Sequence, residues 1–168
     1  GWLPVGTTSG THGYTSGGTY SIKTQSRCAQ HTLVVSSWSS SLSFGVEAIS
    51  NPAVPSGVSF GALNTLYTYT VEGASSNFGH SVQYFFDWGD GTNSGWLPVG
   101  TPSASKSWSS AGTYNIKAQA RCSIDTSVVS SWSQALSVTI SIPETISAPT
   151  TPSGPISGNT GVSYTYST

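Results

Sequence analysis

The sequence predicts an all-β chain, organised as tandem antiparallel β-sandwiches joined by short proline-rich linkers. Three observations carry that expectation. Aromatic residues are plentiful, with six Trp and eight Tyr beside many Val, Ile and Thr, while glycine and proline recur at short intervals and nothing suggests a long helix. Two segments alternate apolar and polar residues at period two. The first 48 residues also recur later in the chain.

The first alternating segment is Tyr84-Phe85-Phe86-Asp87-Trp88-Gly89-Asp90-Gly91-Thr92. Val82, Tyr84, Phe86 and Trp88 fall on one face, and Asp90-Gly91 supplies the flexible pair that a tight turn needs. The second runs from Gly112 to Cys122. There Tyr114, Ile116, Ala118, Ala120 and Cys122 alternate with Asn115, Lys117, Gln119 and Arg121, giving an apolar face and a wet one. Two half-buried strands with opposed apolar faces begin a sandwich core, expected to centre on Phe86, Trp88 and Tyr114.

Phe86-Asp87-Trp88-Gly89-Asp90-Gly91-Thr92, followed by Gly112-Thr113-Tyr114, resembles the PKD domain. The resemblance implies an immunoglobulin-like β-sandwich of the kind found in surface and secreted proteins, often in tandem. Arg121-Cys122-Ser123 departs from that family's usual Thr-Asp at the end of the second strand.

The internal repeat sets the organisation. Gly1-Trp2-Leu3-Pro4-Val5-Gly6-Thr7 recurs as Gly95-Trp96-Leu97-Pro98-Val99-Gly100-Thr101, Trp38 recurs as Trp132, and Cys28 recurs as Cys122, all at a spacing of 94. More than half of residues 1–48 are identical to their partners in 95–142, without a gap. At a spacing of 97, Pro55-Ser56-Gly57 matches Pro152-Ser153-Gly154 and Tyr67-Thr68-Tyr69 matches Tyr164-Thr165-Tyr166. Residues 1–49 therefore read as the C-terminal half of one repeat, 52–143 as a complete repeat, and 146–168 as the opening strands of a third. The linkers, at Asn51-Pro52 and from Pro143 to Pro155, favour extended and semi-rigid connections.

Within the complete repeat, strands are expected at about 58–61, 65–72, 81–88, 104–108, 112–122 and 134–141. Residues 89–103 read as a long loop carrying an apolar Trp96-Leu97-Pro98-Val99. Either that loop caps the sandwich, or Trp96 and Leu97 touch a neighbour. The same alternatives stand for Ser130-Ser131-Trp132-Ser133.

Residues that carry chemistry are sparse. The net charge is −1 and there are five Lys and Arg, too few and too scattered for nucleic acid. No transmembrane span or signal peptide is present in this sequence. Asp87 and Asp90 offer oxygens for a weak Ca²⁺ candidate, but six to eight ligands are needed and turn hydrogen bonds explain the pair more simply. His12, His31 and His80 have no counterparts between the repeats, so no nucleophile–base constellation is marked and no enzyme or cofactor is expected. Lys23 and Lys117 fall on the polar face as solvated lysines. No Asn-linked glycan sequon occurs, and the abundant Ser and Thr leave a glycan in O-linkage open.

Cys28 and Cys122 lie at the ends of equivalent strands. Each is expected to be a buried free thiol, with a lateral disulfide to another chain as the alternative. The functional expectation is a building block of an extracellular or cell-surface filament or stalk, whose partners are other copies of the repeat. A carbohydrate- or protein-binding accessory or adhesion module is the second reading. Trp2, Trp38, Trp96, Trp132, Cys28 and Cys122 are the candidates for contacts between repeats or chains. Residue 1 falls mid-repeat and residue 168 falls inside a strand, which reads as a segment of a longer polymeric chain. In such a chain 1–49 would be completed by strands like those of 55–94.

Overall fold

Alternation decides the layers. The computed structural model describes residues 1–168 and holds nine strands: β1 (Gly18–Ile22), β2 (Leu42–Val46), β3 (Phe60–Ala62), β4 (Tyr67–Thr70), β5 (Val82–Asp87), β6 (Asn93–Trp96), β7 (Ser103–Lys106), β8 (Gly112–Cys122) and β9 (Leu136–Ser141). In β8, Ile116, Ala118, Ala120 and Cys122 are buried, whereas Lys117, Gln119 and Arg121 between them face outward and are half-buried. β5 lies antiparallel beside it, pairing Phe86 with Ala118 and Phe85 with Gln119, so the apolar sets of both strands share one face.

Seven strands, β3 to β9, build the body of residues 52–143. Five form one sheet in the order β3-β9-β8-β5-β6, and β4 pairs with β7 in a second. Tyr69 and Val71 from the β4 side meet Phe86, Trp88, Ile116, Ala118, Val138 and Ile140 from the larger sheet, with Trp108 closing one end. The Phe86 and Trp88 rings stack in parallel at 5.1 Å, and Tyr69 stands edge-on to Trp108 at 6.0 Å. This aromatic centre supplies most of the side-chain bulk that a two-layer β core needs.

Three features differ from the sequence reading. The segment read as a loop at 89–103 contains β6. The turn after β5 brings Asn93 opposite Asp87 and Trp96 opposite Phe85, with a bulge between, and the Ser94 hydroxyl accepts the Phe86 N–H at 2.8 Å. The sandwich is also not wholly antiparallel, because β3 runs parallel to β9, pairing Phe60 with Thr139. Tyr114 lies at the margin of the core instead of its centre. Its hydroxyl donates to the Ser110 carbonyl at 2.9 Å, which draws the ring to the strand end, stacked on Trp108.

Past its pairing with β9, the same flank of β8 is held by residues 128–133 in an unusual way. Ser130 and Ser133 donate their backbone N–H groups to the carbonyls of Ala120 and Ala118, and their hydroxyls accept the N–H groups of those same residues at 3.0 and 2.9 Å. Side-chain oxygens thus stand in for strand carbonyls, which keeps the buried backbone satisfied without a regular strand.

Residues 1–49 repeat this arrangement in detail. β1 pairs with β2 from Gly18↔Val46 to Ile22↔Leu42, the register of Gly112↔Ile140 to Ile116↔Leu136. Ser36 and Ser39 serve Ser26 and Thr24 as Ser130 and Ser133 serve Ala120 and Ala118, and Tyr20 donates to Ser16 as Tyr114 does to Ser110. Residues 146–168 mirror the start of the central body. The Ser153–Ser167 bridge matches Ser56–Thr70. Tyr166 lies on Gly154 as Tyr69 lies on Gly57, where an added Cβ would sit 2.4 and 2.3 Å from the rings. What differs is burial. Ile116 and Val138 are fully buried, whereas their equivalents Ile22 and Phe44 are 38% and 45% exposed.

Candidate functional site

Three clusters gather the polar and aromatic side chains that the core does not use. The first is the turn after β5. Asp87 accepts the Gly89 N–H at 3.0 Å, and Asp90 accepts both the N–H and the hydroxyl of Thr92. Asp90 is also ion-paired to Lys106 at 2.7 Å. The oxygens of the two aspartates are therefore directed to turn backbone, Thr92 and a lysine. Burial pushes the Asp90 carboxyl up, but the Lys106 and Thr92 hydrogen bonds more than offset it and hold its pKa below the ordinary value. Gly91 sits at the tip of this turn, and Gly112 and Thr113 open β8 on the exposed side.

A pH dependence follows from this carboxylate. Its pKa is depressed on folding, so its contribution is present above the ordinary value of 3.8 and is lost as pH falls through the folded value. Asp90→Asn is expected to lower stability by about 0.5–1 kcal/mol at neutral pH, the pair being screened by solvent. Urea titrations of both proteins should converge below 3.8, and a gap that persists unchanged into stronger acid would refute the assignment.

The second cluster covers the outer face of the larger sheet. Phe85 lies between Trp96 and Trp132, at ring distances of 5.2 and 6.0 Å. The Arg121 guanidinium covers Trp96 at 4.4 Å while its Nε donates to Gln83, and Lys117 stands 5.4 Å from the Trp132 ring. A shallow open cleft beside Phe85 and Trp132 is edged by Asp87, Thr92 and Asn93. Leu97 turns inward against the core. In residues 1–49, Arg27 covers Trp2 at 4.7 Å in the same way, and Trp38 is 61% exposed. Trp108 belongs to the core and to no surface.

The third cluster lies at the junction between residues 45–49 and the central body. Ile49 is buried against Ala120 and Cys122, and the Phe78 ring packs on Gly45. Asn77 accepts the Ala48 N–H and donates to the Val46 carbonyl. Inside this seam, Glu47 meets His80 Nδ1 at 2.9 Å, and the Cys122 sulfur lies 3.6 Å from the same nitrogen. The Ser76 hydroxyl donates to Glu47, and this bond lowers the carboxyl's pKa against the opposing effect of burial, with Cys122 and His80 adding to it. The backbone N–H groups of Ile124 and Asp125 both point at the Cys122 sulfur at 3.4 Å. Cys28, expected to be buried like Cys122, is instead partly exposed, with its sulfur 3.6 Å from His31 Nδ1.

Sequence reasoning did not group Glu47, His80 and Cys122. They come from three distant segments, and His80 has no repeat counterpart within the chain. One signal was available: Glu47-x-Ile49-Ser50-x-Pro52 recurs as Glu144-x-Ile146-Ser147-x-Pro149 at the spacing of 97. That recurrence marks the segments preceding the matching Ser56–Thr70 and Ser153–Ser167 bridges.

No family model matches the chain, and no curated protein matches it. Among solved structures, it is similar to the PKD domain of an M14-like peptidase from Thermoplasmatales archaeon SCGC AB-540-F20. The two share 28% identity over 57% of this chain and 96% of that chain, with a TM-score of 0.47.

Proposed function

We propose that the chain is a segment of an extracellular or cell-surface filament or stalk, built from immunoglobulin-like sandwiches placed end to end, with a structural and not an enzymatic role. The repeats would be 1–49, 52–143 and 146–168, and other copies of the repeat would be its partners. The observation that carries this reading is the recurrence of one register and one hydrogen-bond pattern in residues 1–49 and 95–142, at a constant spacing, with a packed seam at 45–49 between them. Arrays of like units in contact with their neighbours extend along one dimension. Low charge and abundant Ser and Thr suit an exposed surface.

In such an array the half-exposed faces of Tyr20, Ile22 and Phe44 are covered by a strand equivalent to β5. Residues 146–168 offer the counterparts of the opening strands to residues 1–49 of another copy, leaving the counterpart of about 72–94, the β5-like strand included, to be supplied from elsewhere in the array. Light scattering of the 168-residue protein is expected to show concentration-dependent end-to-end association, with thin linear particles in electron micrographs. A monodisperse monomer at all concentrations would overturn the proposal.

The Trp96–Phe85–Trp132 row with its polar cleft supports a second reading, an accessory module that binds carbohydrate through stacked rings. Trp132→Ala, on the surface at 39% exposure, separates the two. Loss of polysaccharide retention with unchanged association favours the module.

A further inference from the structure

The junction seam contains more than a structural ion pair. Glu47 Oε1, His80 Nδ1 and Cys122 Sγ all lie within 4.8 Å of one another, and the carboxylate and sulfur both approach the same imidazole nitrogen. This convergence decides against a thiol–imidazole–carboxylate relay. A relay needs the base to use its two nitrogens, one toward the nucleophile and one toward the orienting carboxylate. Here both groups compete for Nδ1, and the Cys122 sulfur is wholly buried, where no substrate reaches it. Three unlike donors gathered this closely suit a cation held among them.

We propose that Glu47, His80 and Cys122 form a site for a zinc-class divalent transition metal that clips residues 45–49 to the sandwich that follows. Thiolate and imidazole select such a metal over calcium or magnesium, which take oxygen ligands. The spacing fits. Zinc bonds of about 2.0–2.1 Å to nitrogen and about 2.3 Å to sulfur place those two atoms about 3.5 Å apart in a tetrahedron. The observed separation between the His80 nitrogen and the Cys122 sulfur is 3.6 Å. The Glu47–His80 distance of 2.9 Å opens by roughly 0.4 Å on binding, a small rotation of the carboxylate. Two backbone N–H groups, from Ile124 and Asp125, are directed at the sulfur at 3.4 Å and orient it from the outer shell. Ser76 holds the carboxylate in place from the other side.

Binding releases one proton, that of the Cys122 thiol, to solvent. His80 binds as the neutral ring through the Nδ1 lone pair, and Glu47 binds as the carboxylate, so the site carries no net charge with a divalent ion. The fourth position falls to water, which enters past His80, whose side chain is 33% exposed. The site stands on this geometry alone. Its recurrence along an array, with Glu144 in the place of Glu47, rests on the repeat reading.

The test uses the whole 168-residue protein, stripped with chelator and titrated with Co²⁺ alone. Tetrahedral cobalt absorption with a thiolate-to-cobalt charge-transfer band is expected at one ion per chain, and Zn²⁺ should displace it. Cys122→Ser should abolish the band, Cys28→Ser should leave it, and Glu47→Gln or His80→Gln should weaken binding by roughly tenfold or more. If Cys122→Ser does not fold, the Glu47 and His80 variants decide, and unchanged affinity in both overturns the site. So does a band that follows Cys28, or cobalt bound without a thiolate. Each of these outcomes is independent of the light-scattering result, so failure of the metal site leaves the array reading standing, and the reverse also holds.

Discussion

Phe86→Ala should destabilise the protein by roughly 3–5 kcal/mol, the range for deleting a fully buried aromatic ring. The side chain has no exposure, stacks on Trp88, and sits opposite Ala118 in the centre of the larger sheet. Its neighbours offer little relief, because Ala118 is small, Ile116 and Val138 are β-branched, and the Trp88 ring is fixed by Tyr69 from the other side. A cavity therefore remains. Urea denaturation followed by tryptophan fluorescence should show the midpoint displaced by at least about 1 M, given slopes of about 1–3 kcal/mol per molar. A displacement within error of zero would mean that the two sheets do not meet on this ring.

Gly89→Ala is expected to rival it, for a different reason. Gly89 has φ of +75° and its hypothetical Cβ would lie 2.7 Å from the Asn115 nitrogen and 2.9 Å from the Asn115 carbonyl oxygen. Both obstacles are backbone atoms of β8, so no rotamer change clears the way. Left-handed strain of about 1–3 kcal/mol adds to overpacking of about 1–3 kcal/mol. Gly91 supplies the control. Its φ is +82° with open space around it, so Gly91→Ala carries only the backbone part. Equal losses at the two positions would show that the approach to Asn115 does not matter.

Much of the central body was legible because alternation is a local signal. β5 and β8 announce their buried faces residue by residue, and the Asp90-Gly91 turn announces where the chain reverses. β6 gave no such signal. Asn93-Ser94-Gly95-Trp96 has one large apolar residue, and its place in the sheet depends on a bulge and on the Ser94 hydroxyl answering Phe86. The parallel pairing of β3 with β9 was hidden for another reason, since period two reports faces and is silent on direction. Tyr114 was misplaced because an apolar pattern counts the ring and not the hydroxyl, which seeks Ser110 at the strand end. The junction cluster was the least legible. Glu47, His80 and Cys122 have no short-range spacing, and only the fold brings their donor atoms together.

The serines that accept from β8 also restrict how material can add to a sheet. A bare strand edge is a template for any passing chain, and the hazard is sideways growth into aggregates. On β1, one flank carries β2 and then Ser36 and Ser39, whose hydroxyls occupy the N–H groups of Ser26 and Thr24. The other flank, the one β5 holds on β8, has no strand beside it in the two-stranded sheet. A newcomer can hydrogen-bond to β1 from one side only, in the polarity that β5 has toward β8. At β1 the valence toward a strand in the place of β5 is therefore one, and the serine-held flank is closed to a second newcomer.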